Sequence, residues 1–456
     1  IKRGTSDIHI EVYEKDVVVR FRIDGILYDA DYLQINKNNV GGIINVFKVQ
    51  SNMDIAERRL PQGGRFKKKT RDGGIYDFRL QTQPTLCGEN IVIRILNESR
   101  SLVPLHELGF APDVQARYER LIKNPSGLIL ITGPTGSGKT TTLYSTLGIL
   151  CKDLKKKIVT IEDPIEYYLE RVQQSQVKEL IGYNFAQAVR GFLREDPDIM
   201  LVGEIRDHET AIEAMRASQT GHLVLSTLHT NNTIESVQRL IDLNINSNTI
   251  ASELLLIISQ RLAKRNCPEC KKEYRPGKEL LDTFYPSGVP QGLVFYNSPG
   301  CDFCGFRGHK GRIAVMEFWF IDMESKRLII EKADSNEILT SSMERGMVPM
   351  IKDALMKVEE GIIPLDELPN IIPYFQIANW ANDRTHLVKK VIRLRSLYDS
   401  SMIRSREETV PNSFKYSPCS FSERSDNSAS VLAQILICLN GNLKSFAISF
   451  SETFNT

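Results

Sequence analysis

The chain has 456 residues, 41% hydrophobic and 25% charged, with a formal net charge of +2. This is the composition of a globular protein of about two to four domains, with no bulk charge to draw it onto nucleic acid or an anionic membrane. No apolar run approaches the roughly 18 residues that cross a bilayer; the run 254–258 is among the longest.

The first residue is Ile1 and the opening already reads as mid-domain, so a truncated N-terminus is expected. Residues 1 to 100 alternate in the β manner. Ile8 to Val12 and Val17 to Ile23 predict strands, with Asp24-Gly25 as a turn. Val40 to Met53 has helical spacing, and Tyr76 to Leu80 and Ile91 to Leu96 predict further strands. Together they predict a small α+β domain, followed by a linker over 101–110. From 111 to 265 strands and helices alternate. The strands are expected at Leu128–Ile131, Ile158–Ile161, Ile199–Val202 and Leu223–Leu228. That order argues an α/β region with a mostly parallel sheet and a ligand site at the carboxyl ends of its strands. Residues 266–316 carry two cysteine pairs, 317–370 read as short helices, and 371–456 are Ser-rich and without a recognisable motif.

The strand at Leu128 runs into Gly133-Pro134-Thr135-Gly136-Ser137-Gly138-Lys139-Thr140, and Thr141 continues into a helix. Glycines let successive N–H groups turn toward one anion. Lys139 is placed to reach β- and γ-phosphates, and the Thr140 hydroxyl to take one Mg²⁺ position. The alternative is a Gly-rich strand–helix turn with an incidental lysine.

Three further strand ends carry chemistry. Asp198 to Glu204 is an apolar strand closing on a carboxylate, as a Mg²⁺-linked acid requires, although Glu204 stands where Asp is usual. Glu162, Asp163 and Glu166 crowd three carboxylates that repel one another unless a cation or polarised water draws them together. The alternative is a solvated loop with a proline turn. His229 ends the third strand, either as a phosphate-facing group or as a structural strand-end histidine. His222 has the same ambiguity. Arg79 and Arg94 lie on two strands of the first domain, and Arg190 and Arg194 are one helical turn apart. Each is either a surface ion-pair partner or a group that neutralises phosphoryl charge.

Of eight cysteines, Cys267, Cys270, Cys301 and Cys304 form two C-x-x-C pairs, and Cys87, Cys151, Cys419 and Cys438 are scattered. A chain with a nucleotide-type loop belongs in a reducing compartment, where paired knuckles favour metal over disulfides. Thiolates at this spacing close a tetrahedron around Zn²⁺ with no open position, so the metal would be structural. The alternative is four free thiols.

These boxes together resemble the ATPases of type II secretion and type IV pilus assembly. The resemblance covers about residues 1–370. It rests on Thr5 to Glu11, Arg20 to Gly25, Asp54 to Arg65, the phosphate loop, the acidic box at 160–166, Leu193 to Asp198, Gly203 to Asp207, the histidine box at 221–231, Ser259 to Leu262, and the four cysteines. It implies a RecA-like P-loop core after a small PAS-like domain, and before a zinc-knuckle module and short helices. It implies Glu166 as the catalytic glutamate, Glu204 as the Mg²⁺-linked acid and His229 near the γ-phosphate. Arg79 and Arg94 would be offered to nucleotide by the first domain, and Arg190 and Arg194 would precede the Mg²⁺ strand.

The implied partners of ATP, Mg²⁺ and Zn²⁺ binding are a homo-hexameric ring and an inner-membrane platform protein feeding a pilus or pseudopilus. The ring would be cytoplasmic and peripheral to the inner membrane, with no nucleic acid expected. The cysteine module points to the assembly and secretion branch rather than the retraction branch. Three departures stand beside this resemblance. The family's first domain has no counterpart in the sequence, Gly305 to Arg312 replaces the usual knuckle-to-strand link, and residues 371–456 match nothing in the family. The rival readings are a DNA-uptake or transfer ATPase of the same superfamily and a nucleotide-dependent switch protein. A strongly basic stripe would favour the former, and binding without turnover the latter.

Overall fold

A computed structural model describes residues 4–30, 32–33, 35–69, 74–97, 102–373, 376–377 and 380. The segment 381–456, which carries Cys419, Cys438 and most of the unassigned C-terminal stretch, lies outside the described residues.

The first hundred residues form a six-stranded antiparallel sheet. Its order is Ile26–Asp29, Val17–Ile23, Thr5–Val12, Gly88–Asn97, Ile75–Thr85, Gln62–Lys69. Helix Lys37–Gln50 packs Val40 and Ile44 against Ile10, Val12, Leu80, Ile91 and Ile93. Alternation places one face on this core and leaves the other for polar groups. One row across the polar groups is Arg65, Arg79, Arg94, Asp7 and Arg22, each the register partner of the next.

The second sheet has seven strands, in the order His309–Phe320, Leu254–Asn266, Gly127–Thr132, Leu223–Leu228, Ile199–Val202, Ile158–Glu162, Val172–Gln176. All neighbours run parallel except His309–Phe320 against Leu254–Asn266. The central strands are buried at every position and mostly apolar because both faces are covered. Leu128 and Leu130 face Ala188, Ala211, Val237 and Ile250, while Ile129 and Ile131 face Tyr118, Leu143 and Leu147.

Three features depart from the linear reading. The 101–110 segment does more than connect: Leu105–Leu108 is helical, and Leu105 and Phe110 are buried with Tyr118 and Phe318. The cysteine region is an excursion between two adjacent antiparallel strands, and the returning strand runs across the 316/317 boundary into the main sheet. The apolar run at 254–258 opens a 13-residue strand, Leu254–Asn266, beside the phosphate-loop strand. Short helices then follow, as expected, at Met323–Ile330, Ser335–Glu344 and Met350–Glu359.

Candidate functional site

The sheet order assembles the site. Four neighbouring strands end at Thr132, Leu228, Val202 and Glu162, and all four run the same way. Their tips therefore present the phosphate loop, His229, Glu204 and the acidic box side by side.

The loop itself turns at Gly133, Gly136 and Gly138, with φ of 143°, 80° and 90°. At Gly133 a Cβ would stand 2.3 Å from the Gln260 carbonyl oxygen, so only glycine fits. Gln260 grips the loop from the next strand. Its Nε2 donates to the Ser137 carbonyl at 2.7 Å, and its Oε1 accepts from the Thr142 hydroxyl at 2.8 Å. The buried Ser137 Oγ has no hydrogen-bond partner, which marks the loop's interior as polar and unsatisfied. Lys139 is buried, and its ammonium donates to the Gly133 and Pro134 carbonyls at 2.7 and 3.2 Å. Burial pulls its pKa down to about 8, against the opposing pull of Glu204. Thr140 is exposed one residue further on, at the helix start with Thr141.

Glu204 is buried just beyond its strand, on a turn stitched to both sides. The Gly203 amide donates to the Ile161 carbonyl at 2.8 Å, and the Ile205 amide to the Thr227 carbonyl at 2.9 Å. The Glu204 carboxylate meets Arg206 at 2.5 Å and His229 Nε2 at 3.5 Å. Burial, followed by Lys139, lowers the His229 pKa. Lys139, Glu204, His229 and Arg206 thus form one electrostatic cluster.

The acidic box divides. Glu162 turns inward, where Thr160 Oγ1 donates to it at 2.6 Å, the Tyr144 hydroxyl makes a short bond to it, and Gln174 Nε2 donates at 3.2 Å. Burial raises its pKa. Repulsion from Glu166 adds to this rise, as the crowding of these carboxylates suggests. Glu166 faces out. Its amide donates to the Tyr144 hydroxyl at 3.2 Å, and its carboxylate lies 3.7 Å from Arg79. Arg79, from the first domain, also donates to the Ile165 carbonyl at 2.6 Å.

The remaining arginines lie elsewhere. Arg94 is the cross-strand neighbour of Arg79, but its Nε pairs with Asp7 at 3.0 Å. Arg190 pairs with Glu213 at 2.9 Å and Glu209 at 3.8 Å on the following helix. Arg194 lies two residues beyond the end of Phe185–Phe192, the helix that carries Arg190. His222 sits at the opposite end of its strand from His229, bonding the Ala217 carbonyl at 2.8 Å. Arg206, Tyr144 and the inward role of Glu162 were not anticipated. Gln260 was visible only as part of a motif, because its contacts cross 118 and 123 residues of chain.

The second cluster is the cysteine set. The four Sγ atoms of Cys267, Cys270, Cys301 and Cys304 all lie within 4.8 Å of one another. Cys267–Cys301 and Cys301–Cys304 are 3.8 and 3.9 Å apart. A tetrahedron with Zn–S bonds of about 2.3 Å has edges of about 3.8 Å, whereas a disulfide needs about 2.05 Å. The Cys301 amide donates to Cys304 Sγ at 3.2 Å, a bond suited to a thiolate. These residues can hold a metal ion.

Among the described residues no helix is long and apolar enough to cross a membrane. In overall fold the chain matches the crystal structure of the Legionella pneumophila ATPase DotB, with TM-score 0.60 and 24% identity over 80% of this chain and 91% of that one. It also matches the pilus retraction motor PilT with bound ADP, with TM-score 0.56 and 26% identity over 81% and 93%. The type IV pilus assembly ATPase PilB of Myxococcus xanthus is 42% identical over 84% of this chain and 66% of its own length. The type II secretion system ATPase E of Vibrio cholerae is 41% identical over 81% and 73%. The chain spans from 41% to 66% of the length of the PilB relatives from Thermus thermophilus and Myxococcus xanthus. The model of the family described as Type II/IV secretion system protein matches residues 1–370, and the chain belongs to that family.

Proposed function

We propose that this chain is the motor portion of a hexameric cytoplasmic ATPase, peripheral to the inner membrane. It would power assembly of a type IV pilus or a type II secretion pseudopilus through a platform protein. The observation that carries this reading is the convergence of Lys139, Glu204 and His229 at adjacent strand tips, where each is within electrostatic reach of the others. The names of the relatives at about 40% identity agree with it. The four-cysteine set favours the assembly and secretion branch over retraction.

In this reading the loop Gly133 to Thr140, through its backbone N–H groups other than that of Pro134, which has none, cradles the phosphates of ATP with Lys139 and Thr141. The unsatisfied Ser137 hydroxyl and the close turns at the glycines fit such an anion. Thr140 and Glu204 are the residues that would hold Mg²⁺, which when bound neutralises phosphate charge. Glu166 orients and deprotonates the attacking water, and Arg79 steadies its carboxylate from the first domain. His229 reads the terminal phosphate through Glu204. Arg94, Arg190 and Arg194 supply further positive charge where nucleotide or a neighbouring subunit approaches. Cys267, Cys270, Cys301 and Cys304 hold a structural Zn²⁺.

The test is ATP turnover of the purified chain against Lys139→Ala. Loss of a positioned charge at the phosphates is expected to lower turnover at least about a hundredfold. Turnover indifferent to the substitution would overturn the site.

A further inference from the structure

The reading above uses acids at strand tips, but another acid lies inside the protein. Glu317, on the returning strand His309–Phe320, is 4% exposed. Its Oε1 accepts from the Thr233 amide at 3.0 Å and the Thr233 hydroxyl at 2.6 Å, and its Oε2 accepts from the Met350 amide at 3.4 Å. Both donors begin helices of ten residues, Thr233–Asp242 and Met350–Glu359. First-turn amides have no partner within their helix, and the positive helix end favours an anion. The second helix starts after Pro349, whose side chain makes no cap, so Glu317 supplies one. A buried carboxylate costs far more than a buried Leu or Gln of similar size, so space filling does not account for it.

The first of these helices is tied to the cleft. Thr233 follows His229 by four residues. Between them, the Thr230 amide donates to Thr132 Oγ1 at 2.9 Å, and the Thr230 hydroxyl bonds Thr132 and Ser236, each at 2.7 Å. Thr132 is the residue before the phosphate loop. The Asn231 carbonyl accepts from Ser259 Oγ at 3.3 Å. Polar contacts therefore tie Thr132, just before the loop, to Thr230 and Ser236, and the backbone carries the path through Asn232 to Thr233, whose bonds to Glu317 lead on to the Met350 helix.

We infer that Glu317 is a positioning residue that joins the His229 loop to the C-terminal helices, so that filling the Lys139 cleft is felt at the start of Met350–Glu359. The inference rests on the reading that the cleft binds nucleotide. Two helix starts sharing one carboxylate cannot shift independently without leaving a buried acceptor or donor unpaired.

The experiment is amide hydrogen exchange on the full chain, with and without Mg²⁺ and a non-hydrolysable ATP analogue, alongside affinity for a fluorescent nucleotide. In the wild type, nucleotide is expected to slow exchange about tenfold in peptides covering both 230–236 and 349–353. In Glu317→Gln, nucleotide affinity stays within about twofold and the 230–236 response persists, while the 349–353 response is lost. A 349–353 response that survives in Glu317→Gln overturns the inference, as does its absence in a wild type that binds nucleotide. A wild type that binds no nucleotide, or a Lys139→Ala variant that binds as tightly, overturns the nucleotide site instead. Should Glu317→Gln not fold, Thr233→Val removes one donor only. It is expected to weaken the 349–353 response about threefold, and an undiminished response overturns the inference.

Discussion

The phosphate-loop cleft and the four-cysteine cluster are built over very different spans of chain. The cleft takes Lys139, Glu166, Glu204 and His229 from four strand ends, and Arg79 from a separate sheet. The cluster takes its four thiols from one excursion between two strands that are already paired. Parts of the cleft are held by the sheet whether or not a ligand binds. The cysteine excursion has only short two-stranded pairing, Lys272–Tyr274 with Phe295–Asn297, plus packing of Phe284, Tyr285 and Phe295 on Ile313 and Met350. Metal should therefore matter to folding in one region and not in the other.

The largest effect should follow from breaking the cysteine cluster. Cys267→Ser is expected to reduce metal content from about one ion per chain to nearly none, and to loosen the excursion while nucleotide binding persists. Elemental analysis with nucleotide titration checks both halves, and unchanged metal content would end the claim. Next comes the loop's backbone. Gly133→Ala places a methyl 2.3 Å from a carbonyl oxygen at φ 143°, and should destabilise the folded chain by about 2–4 kcal/mol in denaturant unfolding. A smaller loss would mean that the strand bearing Gln260 yields and the cleft is less rigid than drawn.

A subtler effect is protonic. Burial holds Lys139 near pKa 8, so at that pH it is about half protonated. A polyphosphate beside it favours the cation, so binding at pH 8 should take up about half a proton, and affinity should fall as pH rises further. Calorimetry in two buffers of different ionisation enthalpy measures the uptake, and none would remove Lys139 from contact with the ligand. The smallest stability change is expected at Arg94, whose side chain is 63% exposed beside Asp7. Arg94→Ala should cost less than about 1 kcal/mol in thermal unfolding. Turnover measured on the same variant then separates an ion pair from a group that reaches nucleotide.

Much of this was legible in order along the chain. The runs Val17–Ile23, Ile199–Val202 and Leu223–Leu228 are strands at those bounds. The phosphate loop and both cysteine pairs were read from spacing alone. Other elements were not legible, for stated reasons. His309–Phe320 was divided between a cysteine region and a helical one, because a strand formed by pairing with residues 254–266 carries no local mark of its partner. The 101–110 segment looked like a connector because two buried side chains, Leu105 and Phe110, are too few to show a period. Glu162 and Glu166 look alike in sequence, and only the Tyr144, Thr160 and Gln174 contacts send one inward.

The sequence by itself determined which local units exist: a curled anion-binding turn, two metal-type knuckles and apolar strands closing on acids. Residue type and short spacing suffice for these, since each is fixed within one turn of backbone. Tertiary structure alone decided their company. The order of parallel strands set His229 and Glu204 beside Lys139, the first domain's docking brought Arg79 to Glu166, and a distant strand delivered Gln260 and Glu317. Such contacts depend on which strands pair across a hundred residues, a choice governed by burial of the whole sheet rather than by any short stretch of chain.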